Sequence, residues 1–145
     1  MKIVVCGSMA FSQHMLDAKE ILEKNGHVVD IPEGCEEYIG EKWENKIKSG
    51  WRPSVEGAQR KIDLNLIRKH YDKIKLGDVI LVLNYDKNGI KNYIGGNSFL
   101  EMGFAHILNK KIYVLNPLPE ELNVFYQELI AMQPKIINGD LKLIK

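Results

Sequence analysis

The sequence predicts one α/β domain built on a doubly wound parallel sheet. Three observations carry that prediction. Strand-like and helix-like segments alternate along all 145 residues. The interior strand segments DVILVLN and KKIYVLN are near-continuous apolar runs, as strands covered on both faces must be. Glycine or asparagine stands where the first, third and fourth strands end, at Gly7, Asn84 and Asn116, the places where such a chain turns away from the sheet.

In order, KIVVCG reads as a buried strand ending on glycine. SQHMLDAKEILEKNG follows as a helix with Met15, Ala18, Ile21 and Leu22 on one apolar face, Ser12 as its cap and Asn25-Gly26 as its stop. HVVDIP is a short strand closed by Pro32. Residues 33–60 are rich in glutamate and glycine, hold Trp43 and Trp51, and follow no clean period, which predicts a loop or short helix acting as a lid over one end of the sheet. The tryptophans there serve equally well to stack on a planar ligand or to pack the loop down. AQRKIDLNLIRKHYDKIKLG is one helix with Ile62, Leu66, Ile67, Tyr71 and Ile74 inward. PEELNVFYQELIAM is a helix with Pro119 near its first position, and KIINGDLKLI supplies one or two edge strands. With no repeat, linker or low-complexity run, residues 1–145 form a single Rossmann-like (flavodoxin-like) domain.

Composition narrows the function. The net charge is +1, from 20 Lys and Arg against 19 Asp and Glu, so no general attraction to nucleic acid or an anionic membrane follows. Cys6 and Cys35 form no CxxC pair, and Cys6 in its apolar strand reads as a small core residue. The apolar run near Met1 is four residues long, too short for a signal peptide or a membrane span. A cytoplasmic protein is the expectation. The four histidines, 14, 27, 70 and 106, show no carboxylate at ligand spacing, so neither a metal nor any other cofactor is expected.

In a doubly wound sheet, ligands bind beyond the carboxyl ends of the strands. The first such end, Gly7-Ser8-Met9, turns into a helix start whose amides favour an anion; the alternative is a plain strand-to-helix turn. The second, NYDKNGIKNYIGGN, gathers Asn84, Asn92, Gly95, Gly96 and Asn97. The asparagines are suited to sugar hydroxyls or base edges, or equally to turn chemistry, with Asn97 a natural helix cap. Glu101 follows in NSFLEMGFAHI, a nearly apolar helix, on the flank of a face formed by Leu100, Phe104 and Ile107. Gly103 and Ala105 leave space beside it. Burial would raise the Glu101 pKa and the helix start would lower it. An ionised carboxylate there suits a nucleophile or a partner for an oxocarbenium-like centre. The residues alone leave that reading open beside a solvent-edge glutamate.

MKIVVCGSM, GHVVDIP, GDVILVLN and NSFLEMGFAHILNKKIYVLN together resemble the nucleoside 2-deoxyribosyltransferase superfamily, over nearly the whole chain except residues 33–60. The most specific part is Glu101-x-Gly103-x-Ala105 on a helix, followed by lysine and a buried strand. The resemblance implies a flavodoxin-like fold and cleavage or transfer at the N-glycosidic bond of a (deoxy)nucleoside or nucleotide. It makes Glu101 the nucleophile, brings Gly7 and Ser8 to the sugar or its 5′-phosphate, and implies a homodimer or larger oligomer. Two positions depart from the pattern. Eight residues before Asp78, where an aspartate is usual, stands His70; six before Glu101, where a base-contacting aspartate is usual, stands Gly95. The sequence-based site is therefore Glu101 and His70 as catalytic residues, with His70 as candidate acid for the leaving base. Gly7, Ser8, Met9, Asn84, Gly95, Gly96 and Asn97 complete it as substrate contacts. A module of the same fold that binds a nucleotide without turnover is the alternative.

Overall fold

The computed structural model describes residues 1–40 and 55–145. Its strands are β1 (Lys2–Gly7), β2 (Val28–Asp30), β3 (Val79–Leu83), β4 (Lys111–Val114) and β5 (Lys135–Ile136). All pair in parallel in the order β2-β1-β3-β4-β5. The helices are α1 (Ser12–Lys24), α2 (Val55–Asp63), α3 (Leu66–Leu76), α4 (Gly96–Ile107) and α5 (Tyr126–Ala131). This is the flavodoxin-like arrangement, with its topological switch between β1 and β3.

Strand side chains alternate between the faces. Ile3, Val5, Val79, Leu81 and Leu83 join Met15 and Leu22 of α1 in one core. Val4, Cys6, Ile80 and Val82 join Ile74 of α3, Met102 and Ala105 of α4, and Leu129 of α5 in the other. Burial on both sides is what the unbroken apolar runs encode. No described helix is long and apolar enough to cross a membrane.

Several elements depart from the sequence expectation. The helix read over 58–77 is two, because Asn65 takes a left-handed conformation (φ 51°) between α2 and α3, one that asparagine tolerates and a helix cannot absorb. Ile62 and Ile67 consequently face solvent, as does Ile21 on α1. Ser12 is the first residue of α1 and its hydroxyl donates to the Met9 carbonyl instead of capping. Residues 119–125 are turns, and α5 begins only at Tyr126. The tail contributes one two-residue strand and a 3-10 turn, Leu141–Leu143. Of the expected lid, Cys35–Tyr38 forms a 3-10 turn with Cys35 buried in the α1 core, and α2 begins at Val55. Trp43 and Trp51 lie outside the described residues.

Candidate active site

β1 and β3 end side by side, Gly7 opposite Leu83. A Cβ on Gly7 would lie 2.9 Å from Met15 Cε and 3.1 Å from the Leu83 carbonyl oxygen, so glycine lets the strands end this close without moving either neighbour. Beyond it opens a cleft of about 970 Å³, within the range of small-molecule sites. The turn after β1, Pro32 and Tyr38, α2, α3 and the start of α4 all contribute to its lining.

Gly7, Ser8, Met9, Gly95, Gly96 and Asn97 line this cleft together with His70 and Glu101. Asn84 does not. It is fully buried; its amide nitrogen donates to the carbonyls of Asn116 and Pro117, each at 3.1 Å, and its oxygen accepts from Asn116 N at 2.8 Å. Every strong hydrogen bond of the side chain is spent tying the end of β3 to the end of β4. Asn97 lines the cleft from the first turn of α4, not as its cap, since Gly95 holds the cap position. Asn92 is a turn residue (φ 54°) whose backbone N donates to Asp86.

Glu101 lies in the second turn of α4. The buried face of this helix is Ser98, Met102 and Ala105, whereas Leu100 and Ile107 are exposed, so the apolar face lies elsewhere than the sequence suggested. The Glu101 side chain is 14% exposed, and its Oε1 lies 3.6 Å from His70 Nε2. Its Oε2 is buried without a hydrogen-bond partner among the described residues. Burial pushes the carboxyl up to about 8, against weaker opposing effects of the Cys6 thiol and Lys61. Desolvation thus dominates, and the charged form is disfavoured at neutral pH.

His70 is brought down to about 4, chiefly by burial and further by Lys73, with Asp30 and a backbone bond to Val5 opposing. The contact between the two is therefore one of neutral groups, too long for a hydrogen bond. The fold brings His70, the candidate acid, into the cleft beside Glu101, while burial disfavours the charged imidazole that would give up a proton. The sequence spacing shows no histidine–carboxylate pair, yet the fold sets His70 beside Glu101. Chain separation hid the pairing, since the fold brings α3 against α4.

Several residues in or behind the cleft were passed over in the sequence reading. Cys6 is core, as read, but its Sγ also lies 3.5 Å from His70 Nε2. Lys87 sits in a two-residue turn where Asn88 and Gly89 both take positive φ, 54° and 74°, and Lys87 and Ile90 exchange backbone hydrogen bonds of 3.0 and 2.9 Å. The turn carries Lys87 to the β1 loop, where Nζ donates to Ser8 Oγ at 2.7 Å. The Asn-Gly pair was a visible signal for that turn. Arg60 and Lys61 of α2 also line the cleft; nothing in their local sequence marked them.

Among solved structures, the 2-deoxyribosyltransferase of Bacillus psychrosaccharolyticus superposes with a TM-score of 0.55 at 20% identity, over 88% of this chain and 81% of that one. The fold is that of a deoxyribosyltransferase. The CMP N-glycosidase of Clostridium botulinum superposes with a TM-score of 0.51 at 16% identity, over 98% of this chain and 92% of that one. No protein-family model matches this sequence, and no curated protein matches it significantly.

Proposed function

We propose that this protein cleaves or transfers at the N-glycosidic bond of a nucleoside 5′-monophosphate, with Glu101 as nucleophile. The observation that carries the reading is Glu101 itself: a largely buried carboxyl at the carboxyl edge of the sheet that lines a cleft large enough for a nucleotide. Ionised Glu101 attacks the anomeric carbon as the bond to the base breaks, and the base leaves with the bonding electrons and takes up a proton from water in the cleft. The glycosyl ester is then resolved by water in a hydrolase, or by a second base in a transferase. His70 is a positioning residue that packs against the carboxyl.

The charge of the cleft supports a phosphate on the substrate. Arg60, Lys61, Lys69, Lys73 and Lys87 line it, against the carboxylates Glu33 and Glu101. Arg60 and Lys69 are paired with Glu37 and Glu33, while among the described residues Lys73 and Lys87 donate to neutral oxygens, the Ile31 carbonyl and the Ser8 hydroxyl. The neighbours of the same fold act on nucleosides or nucleotides, which fits this reading. Self-association belongs to it as well, through exposed Ile67, Leu100 and Ile107 on the adjoining helices α3 and α4.

The second reading is a nucleotide sensor, favoured by the neutral imidazole at position 70 and the absence of a carboxylate at Gly95. One experiment separates the two. Protein is incubated with 2′-deoxynucleosides, ribonucleosides and their 5′-monophosphates, with and without a second free base, beside Glu101→Ala. Released or exchanged base that vanishes in the variant supports the enzyme. Saturable binding with no turnover in either form supports the sensor.

A further inference from the structure

The proposed reaction leaves Cys6 unused, although its thiol lies behind the reacting carboxylate. Cys6 is fully buried at the end of β1. Its Sγ stands 3.5 Å from His70 Nε2, which stands 3.6 Å from Glu101 Oε1, and the three donor atoms lie within 4.8 Å of one another. A tetrahedral zinc ion with bonds of about 2.3 Å to sulfur and about 2.0–2.1 Å to nitrogen and oxygen would hold S and N roughly 3.5 Å apart, and N and O roughly 3.4 Å apart. The S–N and N–O edges match the side chains as they stand, and the sulfur and carboxylate oxygen, within 4.8 Å of each other, close on the ion by rotation of the Glu101 side chain. The three donors come from β1, α3 and α4, so the fold, and no sequence motif, assembles them.

We propose that Cys6, His70 and Glu101 form a binding site for a thiophilic divalent cation of the zinc class, and that its occupancy inhibits the enzyme by engaging Glu101. One thiolate and one carboxylate neutralise the dication, which suits a site this buried, and an imidazole adds the third donor. The thiol and carboxyl protons leave to solvent as the metal bonds form. A fourth position falls to water from the cleft that Glu101 and His70 line. Three protein donors with a fourth position open to the cleft make the site a reversible one, unlike the four protein ligands of a permanent structural centre. Inhibition rests on the proposed role of Glu101; metal binding rests only on the three side chains.

The test is a titration of chelator-treated protein with Co2+ followed by absorption spectroscopy, with Zn2+ as competitor. The expected result is one equivalent bound, with the near-ultraviolet band of a cobalt–thiolate bond and visible bands of four-coordinate cobalt, all lost on adding Zn2+. The thiolate band disappears in Cys6→Ser and Cys6→Ala, whose folding is checked by circular dichroism, and persists in Cys35→Ala, since Cys35 lies in the other core against Met15. Affinity falls at least tenfold in the Cys6 variants, and zinc inhibition of base release falls with it. No thiolate band in the wild type, or one unchanged in Cys6→Ser, overturns the proposal. Cobalt bound through Cys6 in a protein that turns over no nucleotide would leave the site standing and sink only the enzymatic reading.

Discussion

At the scale of single residues, the burial of Glu101 sets a pH dependence. A carboxyl held at about 8 is one-tenth ionised at pH 7 and about one-hundredth at pH 6. Since the nucleophile must be ionised, kcat/KM in metal-free buffer should climb about tenfold per pH unit below 8 and level off above it. A rate that falls through the same range would make Glu101 an acid and contradict its role. Glu101→Gln keeps the shape and removes the nucleophile, so base release should drop roughly 10³-fold or more while nucleotide binding persists. Lys87 offers a separate check. Removing a charged donor costs about 1.5–3 kcal/mol. Lys87→Ala should therefore raise KM for a 5′-monophosphate roughly tenfold to a hundredfold and leave KM for the unphosphorylated nucleoside nearly unchanged. Equal effects on both substrates would remove the phosphate from the account.

At the scale of elements, Asn84 shows how a polar residue can be misread. An asparagine at a strand's carboxyl end looks like a ligand contact, yet here it joins β3 to β4 through three short hydrogen bonds. Replacing it by Ala strands the amide of Asn116, and a buried group left without its partner costs about 1–3 kcal/mol. Denaturant unfolding of Asn84→Ala should show a loss of that size; an unchanged midpoint would mean that the tether is dispensable. The strands were legible because burial on two faces leaves an unmistakable apolar run. Helix limits were not, because they turn on backbone angles that side-chain periodicity does not encode. Asn65 breaks one predicted helix, and the turns after Pro119 delay another. Gly95, not Asn97, caps α4, and that displaced start puts Glu101 in the second turn, where desolvation governs its protonation.

At the scale of the whole molecule, strand order explains why distant segments meet. β1 sits between β2 and β3, so the Gly7–Met9 turn, α3 and the start of α4 converge on one edge. The alternation of elements made that edge predictable, and with it the cleft positions of Gly7, Ser8, Gly95, Gly96 and Glu101. Which side chains touch there was not predictable, because Cys6, His70 and Glu101 are separated by 64 and 31 residues and lie on three elements. The cationic lining comes from α2, α3 and the Lys87 turn, a gathering invisible to a net charge of +1. The account stands on a covalent bond to one carboxylate, and that bond can be weighed directly. Protein turning over its best 5′-monophosphate would be quenched in acid within one turnover, digested, and the peptide carrying Glu101 measured by mass spectrometry. The account predicts a sugar-phosphate adduct on Glu101 that is absent in Glu101→Gln. Steady base release with that peptide unmodified, and surviving in Glu101→Gln, would contradict it.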